Sequence, residues 1–542
     1  MNHLYFGDNL SVLRESVPDA SVDLIYLDPP FNSKRDYNLL FKSPKGHKSE
    51  AQIEAFKDSW SWGEQAEREF DELLHQPNTD VALLMQALRT FLGENDMMAY
   101  LVMMANRLLE LHRVLKPTGS LYLHCDRVAS HYLKMVLDGV FGKLRFKTEI
   151  VWKRTTSHGN VGRAYGDCTD TIFYYTKSGE YVWNQIYEPM AAEYIEDRFT
   201  GRDADGRRWQ SVTLRNPGPR PNLHYPFTAS NGVTYQPHPN GWSCDLTRMK
   251  KYDAENRLHF PKPGGQLRLK MYLDESPGIK LQNLWTDIPP INSQAAERLG
   301  YPTQKPLALL HRIIEVSSNP KDVVLDPFCG CGTAVHAAQK LNRQWTGIDI
   351  THLAISLIEK RLKDAFGAKC KFEVHGTPKD LDAARDLATR NKYQFQWWAV
   401  SLVEAQPFGG KKKGADGGID GLKFFHDVDK AGARKIVVSV KGGENVGLTM
   451  VKDLITTVTH NQAEIGLVIT LSAPTQPMVA EAAKAGFYTS ATGKKYPRLQ
   501  ILTIEGLLSG QHRAEHPDHA PDLNFKKAKQ EKTGEQKLLG LP

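Results

Sequence analysis

Short apolar runs alternate with longer amphipathic stretches over the first 150 residues. Leu4-Tyr5-Phe6, Val22 to Leu27 and Leu121-Tyr122-Leu123 predict strands. Met97 to Leu115 carries apolar residues at helical spacing and is stopped by Lys116-Pro117-Thr118-Gly119; His131 to Phe141 predicts another helix. This alternation predicts half of a doubly wound parallel sheet. The polar, charged stretch near 40–95 reads as an insertion at the mouth of a site. Between 151 and 300 periodicity fades, while Arg, Trp, Tyr, Pro and Gly become frequent. Amphipathic helices return at Leu307 to Ser317 and Leu353 to Phe366. From about 390 the pattern starts afresh, with an aromatic-rich helix at Tyr393 to Val403 and strands at Lys435 to Lys441, Gly466 to Thr470 and Leu499 to Thr503. The class is α/β. The expected divisions are 1–150, 151–300, 301–366, a linker at 367–390, a second domain at 391–515 and a disordered basic tail at 516–542.

The strand at Val22 runs into Asp28-Pro29-Pro30-Phe31. Two prolines end ladder pairing and fix an extended turn. The acid therefore stands at a strand's carboxyl end, where open α/β sheets bind ligands. A carboxylate, a proline carbonyl and an aromatic face suit a flipped-out base with an exocyclic amine. Far downstream, Asp322 to Asp326 reads as a buried strand, followed by Pro327-Phe328-Cys329-Gly330-Cys331-Gly332-Thr333 and a helix. The glycines allow a tight turn and close approach of a ligand, and the helix start adds free N–H groups. Asp349 ends the next strand, about 20 residues on, the spacing at which an acid reaches ribose hydroxyls in βαβ nucleotide folds.

The composite resembles the S-adenosylmethionine-dependent DNA amino-methyltransferases of the N4/N6 type. The order, Asp-Pro-Pro motif first and glycine motif last, is similar to their β-class. Gly7-Asp8-Asn9-Leu10, Gly119 to Asp126 and Tyr301-Pro302-Thr303-Gln304-Lys305-Pro306 extend the likeness over about residues 1–365. The resemblance implies a Rossmann-like doubly wound sheet. Residues 1–150 would be its catalytic half, 151–300 an inserted target-recognition region and 301–366 the cofactor-binding half. It implies catalytic roles for Asp28, Pro29, Pro30 and Phe31. Asp8, Lys305, Asp326, Phe328, Gly330, Gly332, Thr333 and Asp349 would bind S-adenosylmethionine. The expected activity is site-specific adenine N6 methylation in a restriction–modification or phage-defence setting, with cytosine N4 as the alternative. Asp28 at the first motif position favours adenine. Cytosine C5 chemistry requires a cysteine nucleophile, which that family places after a proline, and none of the six cysteines follows one.

In the second domain, Gly417-Gly418-Ile419-Asp420 precedes a strand ending Ser439-Val440-Lys441. An acid and a lysine on neighbouring strands could share a divalent cation and a water near a phosphate. The pattern resembles the Mrr-like branch of the PD-(D/E)xK nucleases, with a smaller α/β restriction-endonuclease-like fold. Asp420 matches the metal-binding acid, Lys441 the lysine and Glu404 a helix-borne acid. Ser439 departs from the family, which places Glu, Asp or Gln there; a hydroxyl is a poorer ligand for Mg²⁺. Active endonuclease and DNA-binding relic both stay open.

A net charge of +7 over 542 residues fits an anionic partner such as double-stranded DNA. The scattered cysteines argue for a reduced compartment, Cys329 and Cys331 being small side chains in a turn rather than half a zinc site. No apolar run reaches a membrane span, and the first residues enter a strand pattern at once. The expectation is a cytoplasmic protein without membrane contact; a homodimer and partner proteins of a defence system stay open.

Overall fold

The computed structural model describes residues 1–30, 36–42, 48–57, 61–155, 163, 165–260, 262, 265–292, 295, 297–299, 301, 303–408, 418–427, 433–517 and 528–531, with 36–42 and 48–57 as backbone alone. The chain forms two compact units, the larger from residues 1–184 and 283–536, the smaller around 185–282.

Nine strands form the main sheet among the described residues: β1 (Asn2–Phe6), β2 (Val22–Leu27), β3 (Leu115–Cys125), β4 (Phe146–Lys153), β5 (Thr169–Thr176), β6 (Leu284–Trp285), β7 (Val323–Asp326), β8 (Gln344–Asp349) and β9 (Phe372–His375). Their spatial order is β6-β4-β5-β3-β2-β7-β8-β1-β9. The run from β3 to β9 is parallel, while β5 lies antiparallel between β3 and β4. Every residue of β2 is buried, as a central parallel strand covered on both faces requires. Asp23 is held within it by Lys116 Nζ at 2.8 and 2.9 Å and by the Val323 N–H at 2.9 Å. Because β7 inserts beside β2, residues 300 positions apart become neighbours, Val324 opposite Leu24.

Helix α1 (Asn9–Ser16) follows β1 and is capped by Asp8. Three helices, α2 (Glu64–Leu74), α3 (Thr79–Leu92) and α4 (Asp96–Val114), precede β3, and α5 (Ser130–Phe141) follows it. Phe70, Leu73, Val81, Met85 and Leu88 of α2 and α3 join α4 in the core. The stretch expected as an insertion thus contains two core helices, and the charged residues of α2 form its solvent face. The division expected at 150 also shifts, since β4 and β5 belong to the sheet and bury Ile150, Trp152, Phe173 and Tyr175. After the smaller unit come α6 (Leu307–Ser317), α7 (Thr333–Lys340) and α8 (His352–Phe366). The segment expected as a linker holds β9 and a helix, α9 (Leu381–Arg390). In the tail expected to be disordered, Glu531 is seated instead: its N–H bonds Ala365 O at 2.9 Å and its carboxylate meets Lys340 at 2.8 Å.

The smaller unit carries a four-stranded antiparallel sheet in the order Leu258–His259, Arg268–Tyr272, Arg208–Thr213 and Gly201–Arg202. Leu214, Phe227, Trp242, Met249 and Leu258 form its own core. Several of the arginines that are frequent in this region are paired within the unit. Arg207 bonds Asp274 and Glu275 at 2.8 Å, and Arg208 bonds Glu196 at 2.8 Å. Trp209 donates to Asp203 at 2.7 Å.

The C-terminal body begins with α9 and α10 (Lys392–Ser401) and has a sheet of β10 (Gln406–Pro407), β11 (Gly421–Phe425), β12 (Arg434–Lys441), β13 (Ile465–Thr470) and β14 (Leu499–Thr503) in consecutive order. Helices α9 and α10 cover one face; α11 (Leu448–His460) and α12 (Gln476–Lys484) cover the other. Among the described residues no helix is long and apolar enough to cross a membrane.

Candidate active site

Four adjacent parallel strands, β2, β7, β8 and β1, each end at an acid: Asp28, Asp326, Asp349 and Asp8. All four line one cavity of about 820 Å³, with Pro29, Pro30, Lys305, Phe328, Gly330 and Thr333. The structure thus brings together the sequence-predicted residues of this site, with two exceptions. Gly332 stands behind the wall, and Phe31 lies outside the described residues.

The acids have different partners. Asp8 accepts the N–H groups of Leu10 and Ser11 at 3.1 and 3.2 Å and takes Arg107 Nη2 at 2.8 Å. Arg107 is buried and also bonds Asn9 Oδ1 at 2.6 Å, while Asn9 donates to Pro327 O at 2.9 Å, tying α1 to the loop after β7. Asp28 Oδ2 accepts from Lys305 Nζ. Lys305 is thus bonded to the acid of the Asp-Pro-Pro turn, a pairing that neither short motif revealed alone. Asp349 accepts Gly330 N–H on Oδ2 and Thr351 N–H and Oγ1–H on Oδ1, each at 2.9 Å, and so braces the glycine turn. Burial raises its carboxyl to about 6 against the pull of these bonds. Burial lifts Asp326 further, to about 8; the Phe328 N–H opposes this, and the charges of Asp28 and Asp349 add to it. Asp326 is therefore the harder of the two carboxyls to ionise.

Beneath Asp28 runs a hydrogen-bonded chain missed by sequence reading, buried from Tyr26 to Asp170 and exposed at Arg154. Tyr26 OH meets His124 Nδ1 at 3.0 Å, His124 Nε2 meets Asp170 Oδ2 at 3.0 Å, and Asp170 Oδ1 meets Arg154 Nε at 3.0 Å. Burial, then the charges of Asp28, Asp326 and Asp170, push the Tyr26 hydroxyl well above its ordinary range. Tyr26 therefore stays neutral and anchors the end of β2 as a hydrogen-bonding group.

The glycine turn requires its glycines. Gly330 and Gly332 have φ of +52° and +74°, and a Cβ on Gly332 would stand 2.7 Å from Ile358 Cγ1. Gly332→Ala is expected to cost about 2–4 kcal/mol, from left-handed strain plus overpacking. A smaller loss of denaturant midpoint, beside an unchanged C-terminal body, would count against this reading of the turn.

Residues 22–360 match the family model described as DNA methylase, and residues 387–492 the one described as restriction endonuclease. The chain belongs to the DNA methylase family. Its relatives include the type II methyltransferase M.EcaI of Enterobacter cloacae, 31% identical over 264 residues, covering 48% of this chain and 57% of that protein. The Mod subunit of the type III restriction-modification enzyme StyLTI of Salmonella typhimurium is 28% identical over 352 residues, covering 62% and 50%. The DNA adenine methyltransferase YhdJ of Escherichia coli is 24% identical over 356 residues, covering 66% and 81%. The chain spans about half the length of the first two.

The DNA methylase fold accounts for the cavity's position at the carboxyl ends of the strands. The residues also fit S-adenosylmethionine, the cofactor of the family. A side chain at Gly330 would fall 3.1 Å from Tyr301, so the turn keeps open a cradle that a Cβ would narrow. The acids offer acceptors for ribose and amine groups, Phe328 offers an apolar face, and the volume lies within the ordinary range for ligand pockets.

The second candidate site fits less well. Asp420 Oδ2 accepts the Val440 N–H at 2.6 Å and Ser439 Oγ–H at 3.4 Å, and Oδ1 accepts the Gln396 amide. Lys441 ends β12 on the same face as Ser439. Glu404 instead is exposed and pairs with Lys423 at 3.6 Å. Among the described residues, no cluster of three His, Cys, Asp or Glu side chains includes Asp420. Among the described residues, one carboxylate that already accepts at least three donors, with a hydroxyl beside it, is a poor set for Mg²⁺.

Proposed function

We propose that the chain is a site-specific DNA adenine N6-methyltransferase. The observation that carries this is the single cavity shared by the Asp28-Pro29 turn and the turn at Gly330 braced by Asp349. S-adenosylmethionine supplies an electrophilic methyl group when bound. Gly330, Thr333, Phe328, Asp326 and Asp349 would hold it, with Asp8 and its partner Arg107 closing the side at α1. Adenine N6 is a weak nucleophile because its lone pair is delocalised into the ring. Asp28 and the Pro29 carbonyl accept the two amine hydrogens, orient the nitrogen and stabilise the positive charge that develops on it. Lys305 fixes the Asp28 carboxylate from one side. Phe31 supplies a stacking face for the extruded base, offsetting part of the few kcal/mol of unstacking. Asp28 at the first motif position and the likeness to an adenine methyltransferase support adenine over cytosine N4. The smaller unit is the candidate target reader, through aromatic and guanidinium groups at its surface.

Modification-sensitive sequencing of DNA from cells expressing the chain is the direct test. The expected result is N6-methyladenine at one recurring sequence. No modified base would overturn the assignment, and N4-methylcytosine alone would overturn the choice of adenine.

A further inference from the structure

The cavity described above is not built by the methylase sheet alone. Leu387, Arg390, Asn391, Tyr393, Gln394 and Trp397 also line it, and all six come from α9, α10 and the joint between them. These belong to the C-terminal body, whose core takes the opposite sides of the same helices through Ala384, Phe395, Trp398 and Ala399. The joint is packed. Trp397 is 9% exposed and shares a cluster with Tyr301 and Cys331 of the cofactor half and Leu353 and Leu357 of α8. Gln394 Oε1 accepts the His352 N–H at 3.3 Å, at the start of α8 and three residues after Asp349. Lys392 to Ser401 shows little amphipathic periodicity because the helix is buried against two bodies at once. Between Gln394 and Trp397, the same helix presents Gln396 to Asp420, the acid of the nuclease-like motif.

We propose that S-adenosylmethionine is a ligand of both bodies, with Tyr393, Gln394 and Trp397 of α10 forming a wall of its site and Gln396 carrying its occupancy to Asp420. The inference rests on the methyltransferase reading of the cavity. Its chemistry is that of a purine nucleoside site: two aromatic rings for an apolar or planar face and an amide for polar edges. The coupling is short because one helix spans both places. A ligand that fixes Trp397 and Gln394 fixes the residue between them, and with it the Gln396–Asp420 bond. This gives a physical reason for the two sites to share a chain. The state of the cofactor site is available to the C-terminal body without any domain movement.

The test uses the full chain and S-adenosylhomocysteine, with affinity read by calorimetry and backbone protection by hydrogen exchange. Trp397→Ala is expected to weaken binding at least tenfold. Because that change also opens a packed cluster, Tyr393→Ala and Gln394→Ala serve as milder variants, each expected to lose about threefold to tenfold at unchanged circular dichroism. Thr389→Ala, on α9 outside the cavity, should bind as wild type does. In wild type, ligand should raise amide protection at residues 393–400 and at 418–422, and in a Gln396→Ala variant only the first of these should remain. Wild-type affinity in both milder variants overturns the wall. Unchanged protection at 418–422 in wild type overturns the relay. A wild-type chain that binds no S-adenosylhomocysteine overturns the methyltransferase reading itself, and so is distinguished from both.

Discussion

An Asp28→Ala variant should transfer methyl groups to DNA at least about a thousandfold more slowly than wild type, while binding S-adenosylhomocysteine within about threefold. The magnitude follows from what Asp28 is asked to do. A preorganised partner aimed at charge that develops only in the transition state typically contributes a factor of about 10²–10³. Here the acceptor also orients the nucleophile, which adds to that loss. Cofactor affinity should change little, because Gly330, Thr333 and Asp349 are held by their own partners. Removing the carboxylate also takes from the largely buried Lys305 ammonium one of its counterions, so a modest loss of stability is expected alongside. Asp28→Asn separates the two contributions. It keeps a carbonyl acceptor of similar shape but removes the charge, and about a hundredfold loss is expected. Initial rates with labelled cofactor, on DNA that carries the recurring site, give the numbers. Retention of more than a tenth of the wild-type rate in Asp28→Ala would remove Asp28 from the mechanism.

The elements that carry these residues were legible because each is a long or strongly marked pattern. The apolar run of β2, interrupted by Asp23 alone, reads as a doubly covered strand, and the Asp28-Pro29-Pro30 turn marks its end. The strand, glycines and acid from Val323 to Asp349 fix the other half of the site. The partners of those residues were not legible. Tyr26, His124, Asp170 and Arg154 meet because β2, β3, β4 and β5 lie side by side, and no local spacing encodes that crossing. The resemblance placed Asp8 at the cofactor but gave no partner for it, because Arg107 sits about a hundred residues on, within an apolar helix that gives no sign of a buried cation's purpose. The stretch at 40–95 was misread for a related reason. Helix α2 shows many charges because only a narrow stripe of it, Phe70 and Leu73, faces the core, whereas α3 is mostly apolar, with Asp80 and Arg89 as its charged residues. The helix expected at Tyr393 to Val403 is present as Lys392–Ser401, legible from its aromatic content although burial on two sides leaves it no clean helical period.

Arg361 shows best how far a buried group can matter without a motif, and its replacement is expected to have the second large effect. Its guanidinium is buried and donates to Cys331 O at 3.0 Å, to Thr333 Oγ1 at 3.1 Å and to His336 Nδ1 at 3.2 Å. Three acceptors on the glycine turn and the first turn of α7 thus hang on one side chain from α8. Burial lowers the affinity of this guanidinium for its proton, so the group is retained at an electrostatic cost. Arg361→Met keeps most of the volume and relieves that cost, but it leaves the Cys331 carbonyl and the Thr333 hydroxyl without this donor, at about 1–3 kcal/mol each. The net expectation is a loss of about 2–3 kcal/mol. The larger change should be in binding, because Cys331 and Thr333 face the cavity. S-adenosylhomocysteine should bind at least tenfold more weakly. Arg361→Lys should rescue little, since one ammonium cannot reproduce the planar fork that reaches all three acceptors. Denaturant unfolding and calorimetry on the two variants separate these effects. If Arg361→Met binds as wild type does, the glycine turn is held by Asp349 and its backbone strain alone, and Arg361 is only a packing residue.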